Sequence, residues 1–417
     1  MDSIRVQGGT PLQGKVKIQG SKNAALPILA ACLLTNGQTY LENVPKISDI
    51  YGMIHMLEEL GCTVRWEQGL LKVDPSKTRL ATVSTEVAAS MRSSIFLLGA
   101  LLGRFGAATL DHPGGCVIGK RPIDLHLRAL EKLGVRFCEE EGRLEALADE
   151  LHAADIALEF PSVGATENII MAAVVANGET VIRGAAKEPE VHALCDYLIS
   201  CGAVIRGMGT DTIVIHGGRE LSGSKFHIPA DRIVAGTYLL TGFATGGSAF
   251  FEGAPIDHMK AVCLLARRMG ARIAINREGM YVQYPERSRE VPFLKTDAYP
   301  GFPTDLQSVV LAVRCTGRGT TLIRESIFEN RFRIVQNLKD MGGDVRILDD
   351  RRALVKGVTE LKGARVCAQE LRGGAALLAA AAGANGETIL TGKRFIDRGY
   401  ENICRDLRKL GVRIVSE

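Results

Sequence analysis

One cysteine sits in a setting unlike that of an ordinary buried thiol. Cys116 lies in the run Asp111-His112-Pro113-Gly114-Gly115-Cys116-Val117-Ile118-Gly119-Lys120-Arg121-Pro122-Ile123-Asp124-Leu125-His126. Glycines leave such a loop open, and two adjacent cations favour the thiolate over the thiol, so Cys116 is a candidate for proton transfer or covalent chemistry. Most cysteines are small inert hydrophobes, and it is these neighbours that set Cys116 apart. Gly114 to Lys120 also matches Gly-x-x-x-x-Gly-Lys, the opening of a P-loop. Arg121 stands where Ser or Thr must hold magnesium, so that reading is rejected. No His/Asn pairing suggests a thiol protease, although His126 follows on the helix that Pro122 opens.

Charged residues recur just ahead of apolar segments. Ser21-Lys22-Asn23, Met91-Arg92, Ala165-Thr166-Glu167, Asp231-Arg232, Thr304-Asp305 and Glu370-Leu371-Arg372 each precede one. A helix start carries free N–H groups and the positive end of the dipole, so Lys22, Arg92, Arg232 and Arg372 suit anion binding there. At any single helix the ordinary reading is capping or a solvated charge. Recurrence in one slot favours a shared site. Asp305, in Phe302-Pro303-Thr304-Asp305, suits a general base or an acceptor from a sugar hydroxyl. Arg331 and Arg398 could clamp a carboxylate or phosphate through paired N–H groups, although each alone reads as a surface ion-pair partner.

Composition narrows the classes. The 417 residues include 51 basic and 47 acidic side chains, a balance too even for a nucleic-acid footprint or a polybasic membrane patch. Aromatics are 5%, too few for the stacking platforms that hold single strands. No unbroken apolar run is long enough to span a bilayer, and the start shows no signal-peptide core, so a cytoplasmic location is expected. The ten cysteines form no Cys-x-x-Cys pair, which argues against a zinc site or a disulfide framework.

The elements that must position these residues repeat. Leu60-Gly61, Leu133-Gly134, Cys201-Gly202, Met269-Gly270, Met341-Gly342 and Leu410-Gly411 each close a helical pattern and open a strand-like one, 68–73 residues apart. Each copy begins with a segment apolar nearly all round: Leu26 to Leu34, Ile95 to Leu102, Ile169 to Ala176, Val234 to Thr245, Val309 to Cys315 and Ala375 to Ala384. A helix of that kind must be buried on every side. There follow a Gly turn, a β-branched strand such as Thr180-Val181-Ile182, a polar loop, an amphipathic helix such as Ile50 to Leu60, and a hairpin such as Cys62 to Val73. Six units of about 70 residues suggest two α/β domains of three, with helices inward and strands outward. Ile4 to Ile18 reads as a strand pair without its helix, and the last copy lacks a strand. The N-terminal segment is therefore expected to complete the C-terminal domain: residues 22–229 in one domain, 1–21 plus 230–417 in the other, and the active site in the cleft between them.

Seven motifs in order carry a family resemblance. They are Gly20-Ser21-Lys22-Asn23-Ala24-Ala25-Leu26-Pro27, Pro113-Gly114-Gly115-Cys116, Gly119 to His126, Ser162-Val163-Gly164-Ala165-Thr166, Phe302-Pro303-Thr304-Asp305, Phe328-Glu329-Asn330-Arg331-Phe332 and Ile396-Asp397-Arg398-Gly399-Tyr400-Glu401. The chain resembles the enolpyruvyl transferases over essentially its full length, and most of all their branch that acts on UDP-N-acetylglucosamine at the entry to peptidoglycan synthesis. The resemblance implies a two-domain inside-out α/β barrel. It implies transfer of the enolpyruvyl group of phosphoenolpyruvate to the sugar 3′-hydroxyl with release of phosphate, with no metal or cofactor.

By the same resemblance, Cys116 is the proton donor, able to carry a phospholactoyl adduct and open to alkylation by fosfomycin, and Asp305 is the base. Lys22, Asn23, Arg121 and Arg398 would hold phosphoenolpyruvate. Arg92, Arg121, Pro122, Ile123, Asp124, Leu125, Phe160, Pro161, Ser162, Val163, Gly164, Asp305 and Ile327 would line the nucleotide-sugar site. His126, Glu188, Arg232, Arg331, Glu370 and Arg372 would support them. The chain departs from the family pattern at Glu370, often Asp, at Gly373-Gly374, and at Phe160-Pro161. A sister activity on shikimate 3-phosphate is the nearest rival; it goes with a Ser-Lys-Ser start and no cysteine loop. A non-catalytic regulator should have lost one of Lys22, Cys116, Asp305 and Arg398, and none is missing.

Overall fold

The computed structural model describes residues 2–83, 94–111, 123–140 and 142–417. Arg92, Cys116, Arg121 and Pro122 lie outside the described residues. The described residues divide into two compact units, one built from residues 2–19 together with Ala230–Glu417, the other from the described residues between Gly20 and Pro229. Each has its own apolar core.

In each unit three helices form the centre. They are Lys22–Ala31, Leu97–Phe105 and Val163–Ala173 in one, and Arg232–Thr245, Gln307–Arg314 and Leu371–Gly383 in the other. They are buried nearly end to end, Arg372 through Ala382 without a break. That burial follows from their composition, since an apolar helix surface leaves no face for water. Five of them begin two to six residues before the apolar segments do. The polar first turns, such as Lys22-Asn23, Thr166-Glu167-Asn168 and Gln307-Ser308, are helical too, and apolar periodicity does not register them.

Close approach between central helices decides some residue types. A Cβ on Gly99 would stand 2.2 Å from the carbonyl oxygen of Asn168, and one on Gly383 would stand 2.2 Å from that of Ala244. The Gly99 N–H donates to Asn168 Oδ1 at 2.6 Å, so the contact is also hydrogen-bonded. Gly374 packs against Ile396, which a Cβ would approach to 2.7 Å, and this accounts for a glycine at that departure from the family pattern.

Sheets cover the helices. Among the described residues, the unit holding the C-terminus has three four-stranded sheets, and the other has two four-stranded sheets, one three-stranded sheet and a short two-stranded pair. Strands such as Glu179–Arg183 and Glu387–Thr391 bury alternate residues, turning one face to the helices and one to solvent. The two N-terminal strands are not paired with each other. Ser3–Gln7 lies between Glu387–Thr391 and Arg413–Ser416, where the last repeat lacks a strand, and Leu12–Lys17 runs parallel to Gly247–Glu252 in another sheet. Edge positions that need partners took them from distant chain, which no local pattern announces.

The six repeat glycines have one physical role. Gly61, Gly134, Gly202, Gly270, Gly342 and Gly411 all have φ between 89° and 111°. In each, the glycine N–H bonds back three residues and the following N–H bonds back five, as in Gly61 to Glu58 and Cys62 to Leu57, or Gly411 to Arg408 and Val412 to Leu407. This is the Schellman ending, and the left-handed residue in it is strained for any side chain with a Cβ. Gly202→Ala meets only that strain, its nearest neighbour being Glu220 O at 3.6 Å, whereas Gly61→Ala also drives a Cβ to 2.7 Å from Lys77 O. Gly202→Ala should lower the unfolding free energy by about 1–2 kcal/mol, and Gly61→Ala by more. Urea melts giving the reverse order would contradict the assignment.

Candidate functional site

A carboxylate gripped by two arginines is the densest charge cluster among the described residues of the unit holding the C-terminus. Asp305 sits on the short 3₁₀ turn Thr304–Leu306 that leads into the Gln307 helix. Its Oδ1 accepts from Arg331 Nη2 and its Oδ2 from Arg372 Nη2, each at 2.8 Å. Both arginines are nearly buried, with side chains 2% and 8% exposed, while Asp305 keeps 23% of its side chain open. Burial alone would raise the Asp305 carboxyl. The charges of Arg372 and Arg331 outweigh it and hold the group well below the usual carboxylate range. Burial likewise opposes the charge on Arg372, and Asp305, with Tyr400 and Asp231 further off, more than restores it.

Arg331 has capacity left over. Its guanidinium stacks on Phe328 at 5.1 Å, and its buried Nε and Nη1 find no acceptor among the described residues. Donors of that kind, beside a carboxylate still open to solvent, suit a polar anionic ligand.

Buried groups hold this cluster in place. Glu325 is fully buried; its carboxylate accepts from Thr304 Oγ1 at 3.0 Å and from the N–H groups of Ile327 and Phe328 at 2.8 and 3.1 Å. It therefore ties the turn bearing Asp305 to the loop bearing Ile327 and Arg331. Glu370 caps the Leu371 helix, accepting from the Arg372 N–H at 2.7 Å and from the Gly373 N–H. It thus orients Arg372 by fixing its backbone. Tyr400, 1% exposed, shares a 2.8 Å hydrogen bond with Thr237 and also bonds Arg372. Arg398, half-buried, lies two residues before it. Arg232 opens its helix but is not in the cluster; it lies over the Tyr299 ring at 5.5 Å.

The other unit presents a second set. Ser21 caps the Lys22–Ala31 helix, and Lys22, its first residue, forms an ion pair with Asp49 on the Ser48–Glu59 helix. Asn23 is the next residue of that first turn. Asp124 and Leu125 open the Asp124–Lys132 helix directly after Ile123. Ser162 caps the helix beginning at Val163 and Gly164, and Phe160, 45% exposed, precedes it with Pro161. The His126 ring lies against this start, since a Cβ on Gly164 would stand 2.9 Å from His126 Nε2. Burial lowers the His126 imidazole to about 4, against an opposing pull from Asp124. Glu188 stands at the cap of the Pro189–Ser200 helix without bonding its N–H groups. Near it, Glu167 is wholly buried; burial first, then Glu190 and Glu188, push its carboxyl up.

The structure thus gathers Asp305, Arg331 and Arg372 around one contact, with Glu370 capping the helix that bears Arg372 and Ile327 bonded to Glu325, which also holds Thr304. Asp49, Glu325 and Tyr400 were not legible as site residues. The signals they offer are an acid two residues into a helix, an acid at the end of a β-branched strand, and an aromatic in a polar loop, all of which are common in inert positions.

Known proteins are similar to this chain throughout. The family described as EPSP synthase (3-phosphoshikimate 1-carboxyvinyltransferase) matches residues 6–407. A protein of Caldanaerobacter subterraneus subsp. tengcongensis named UDP-N-acetylglucosamine 1-carboxyvinyltransferase 2 is 41% identical, covering 100% of this chain and 99% of its own. One of Lawsonia intracellularis named UDP-N-acetylglucosamine 1-carboxyvinyltransferase is 42% identical, covering 99% of each. Among solved structures, the enolpyruvyl transferase NikO from Streptomyces tendae superposes with a TM-score of 0.89 at 24% identity over 99% of this chain and 98% of that one. The EPSP synthase from Acinetobacter baumannii gives 0.77 at 15% identity over the whole of both chains.

The buried imidazole makes a pH prediction. His126 is held at about 4, below the ~6.5 of an exposed imidazole. The unfolded chain therefore binds the proton first as pH falls. The stability His126 contributes is complete above about 6.5 and is lost as pH drops toward 4, up to about 3 kcal/mol in all. Denaturant melts of His126→Gln should show a shallower decline across that window than the parent; parallel curves would rule this out.

Proposed function

Because this chain belongs to the EPSP synthase family of enolpyruvyl transferases, we propose that it transfers the enolpyruvyl group of phosphoenolpyruvate to the 3′-hydroxyl of UDP-N-acetylglucosamine and releases phosphate. The single observation that carries the choice of acceptor is identity above 40% over the full chain to relatives so named. This reaction is the first committed step of peptidoglycan synthesis and belongs in the cytoplasm. Among the described residues no helix is long and apolar enough to cross a membrane.

The chemistry has two halves. In addition, the sugar 3′-oxygen attacks C2 of phosphoenolpyruvate, C3 takes a proton, and the hydroxyl proton goes to a base. In elimination, the C2–O bond to phosphate breaks as C3 gives a proton back, leaving the enol ether and inorganic phosphate. Cys116 supplies and recovers the C3 proton and can instead attack C2, giving the phospholactoyl adduct. Lys22, Arg121 and Arg398, with Asn23, hold the phosphate and carboxylate. The nucleotide sugar runs along Arg92, Arg121 to Leu125, Phe160 to Gly164 and Ile327.

Asp305 is the base, and its clamp qualifies how it acts. A carboxylate bonded to two guanidinium groups is fully ionised but weakly basic. Proton affinity rises when one arginine turns to another anion. The carboxylate of phosphoenolpyruvate, near the spare donors of Arg331, is that anion. Substrate binding then raises the base strength of Asp305 at the moment the sugar hydroxyl arrives.

Phosphate release should be seen with phosphoenolpyruvate and UDP-N-acetylglucosamine, and not with shikimate 3-phosphate in its place; the opposite preference would overturn the reading. Asp305→Ala should lower kcat by roughly 10²–10⁴-fold, and a loss under tenfold would remove Asp305 from the role of base. Incubation with fosfomycin should add one drug mass to the intact protein, and Cys116→Ala should abolish the adduct.

A further inference from the structure

Gln19 is the last residue of the N-terminal segment before the chain passes into the other unit. It is 9% exposed, and its backbone carbonyl and both ends of its carboxamide are hydrogen-bonded within its own unit. Its backbone carbonyl accepts from the Asp231 N–H at 2.9 Å, on the segment where the chain returns. Its carboxamide reaches a loop 380 residues away. The Nε2 group donates to the Gly399 carbonyl at 3.1 Å, and Oε1 accepts from the Glu401 N–H at 2.9 Å. Chemistry dictates that orientation, because a carbonyl can only accept and an N–H can only donate.

The two bonds straddle Tyr400, whose ring is pinned separately through Thr237 and Arg372. Gly399 itself lies against Leu371, the first residue of the Leu371 helix, where a Cβ would come to 2.8 Å. Residues 399–401 are thereby held at three points, and Arg398 is the residue that enters this held stretch. A buried carboxamide that donates to one backbone group and accepts from another can sit in one orientation only, and such contacts restrict geometry more than they add stability.

We propose that Gln19 is a positioning residue that sets the place and aim of the Arg398 guanidinium by holding the backbone on either side of Tyr400. The inference rests on the reading of Arg398 as a phosphoenolpyruvate-binding cation. Three residues after Gln19 the chain reaches Lys22, so the same short segment governs the backbone leading to a second such cation. Displacing a charge-positioning group by about 1 Å can change a rate by as much as 10²-fold.

The test compares the parent protein with Gln19→Met, which keeps the volume and removes both hydrogen bonds, and Gln19→Ala. KM for phosphoenolpyruvate should rise about tenfold in each, with KM for UDP-N-acetylglucosamine within twofold. Placed on Arg398→Lys, Gln19→Met should add little, because the two residues act through one contact. Amide hydrogen exchange across 397–402 should quicken in Gln19→Met, the Glu401 N–H having lost its acceptor. Faster exchange with both KM values unchanged would make Gln19 merely structural and overturn the proposal. Unchanged exchange would overturn it outright, even if the parent showed no phosphate release, which by itself would fail only the functional reading.

Discussion

Six helices that are apolar all round leave a protein few places for charge. Their flanks are closed by neighbouring helices and by sheets, so charge is kept to the helix ends and to the loops that abut them. Those first turns already carry unpaired N–H groups and the positive end of the dipole. Lys22, Arg232, Asp305 and Arg372 all stand at such ends. Anion chemistry at the helix starts is thus a consequence of how the core is built.

The Asp305 contact shows how such an end is made useful. Two nearly buried arginines and one partly open carboxylate would be costly apart, since each charge has lost much of its water. Together they leave the carboxylate ionised and Arg331 with donors unspent. Around them Glu325, Glu370 and Tyr400 take no part in the charge contact with Asp305 but bind the backbone or guanidinium groups that do. In the other unit, Lys22 is matched with Asp49, and burial with Glu190 and Glu188 raises the Glu167 carboxyl. Both units therefore place charge at helix starts and regulate it with buried partners.

The repeat, the six Gly endings and the buried helices were legible because each is local. A left-handed residue after a helix needs glycine whatever lies beyond it, and an apolar surface on all sides of a helix demands burial whatever buries it. The true starts of five central helices were less legible, since their first turns precede the apolar pattern. The partners of the N-terminal strands were not legible at all. Ser3–Gln7 and Leu12–Lys17 look like neighbours and join different sheets, because hydrogen-bonding edges are set by the assembled unit.

By itself the amino-acid order determined the architecture of repeats, the residue types at the helix starts and, through seven motifs, the family. Tertiary structure alone decided which of those residues meet: Asp305 with Arg331 and Arg372, Lys22 with Asp49, Gln19 with the loop of Arg398, and Arg232 with Tyr299. The reason is range. Helix caps and left-handed turns depend on a handful of successive residues, whereas a charge cluster depends on groups tens to hundreds of positions apart, brought together only when the helices pack.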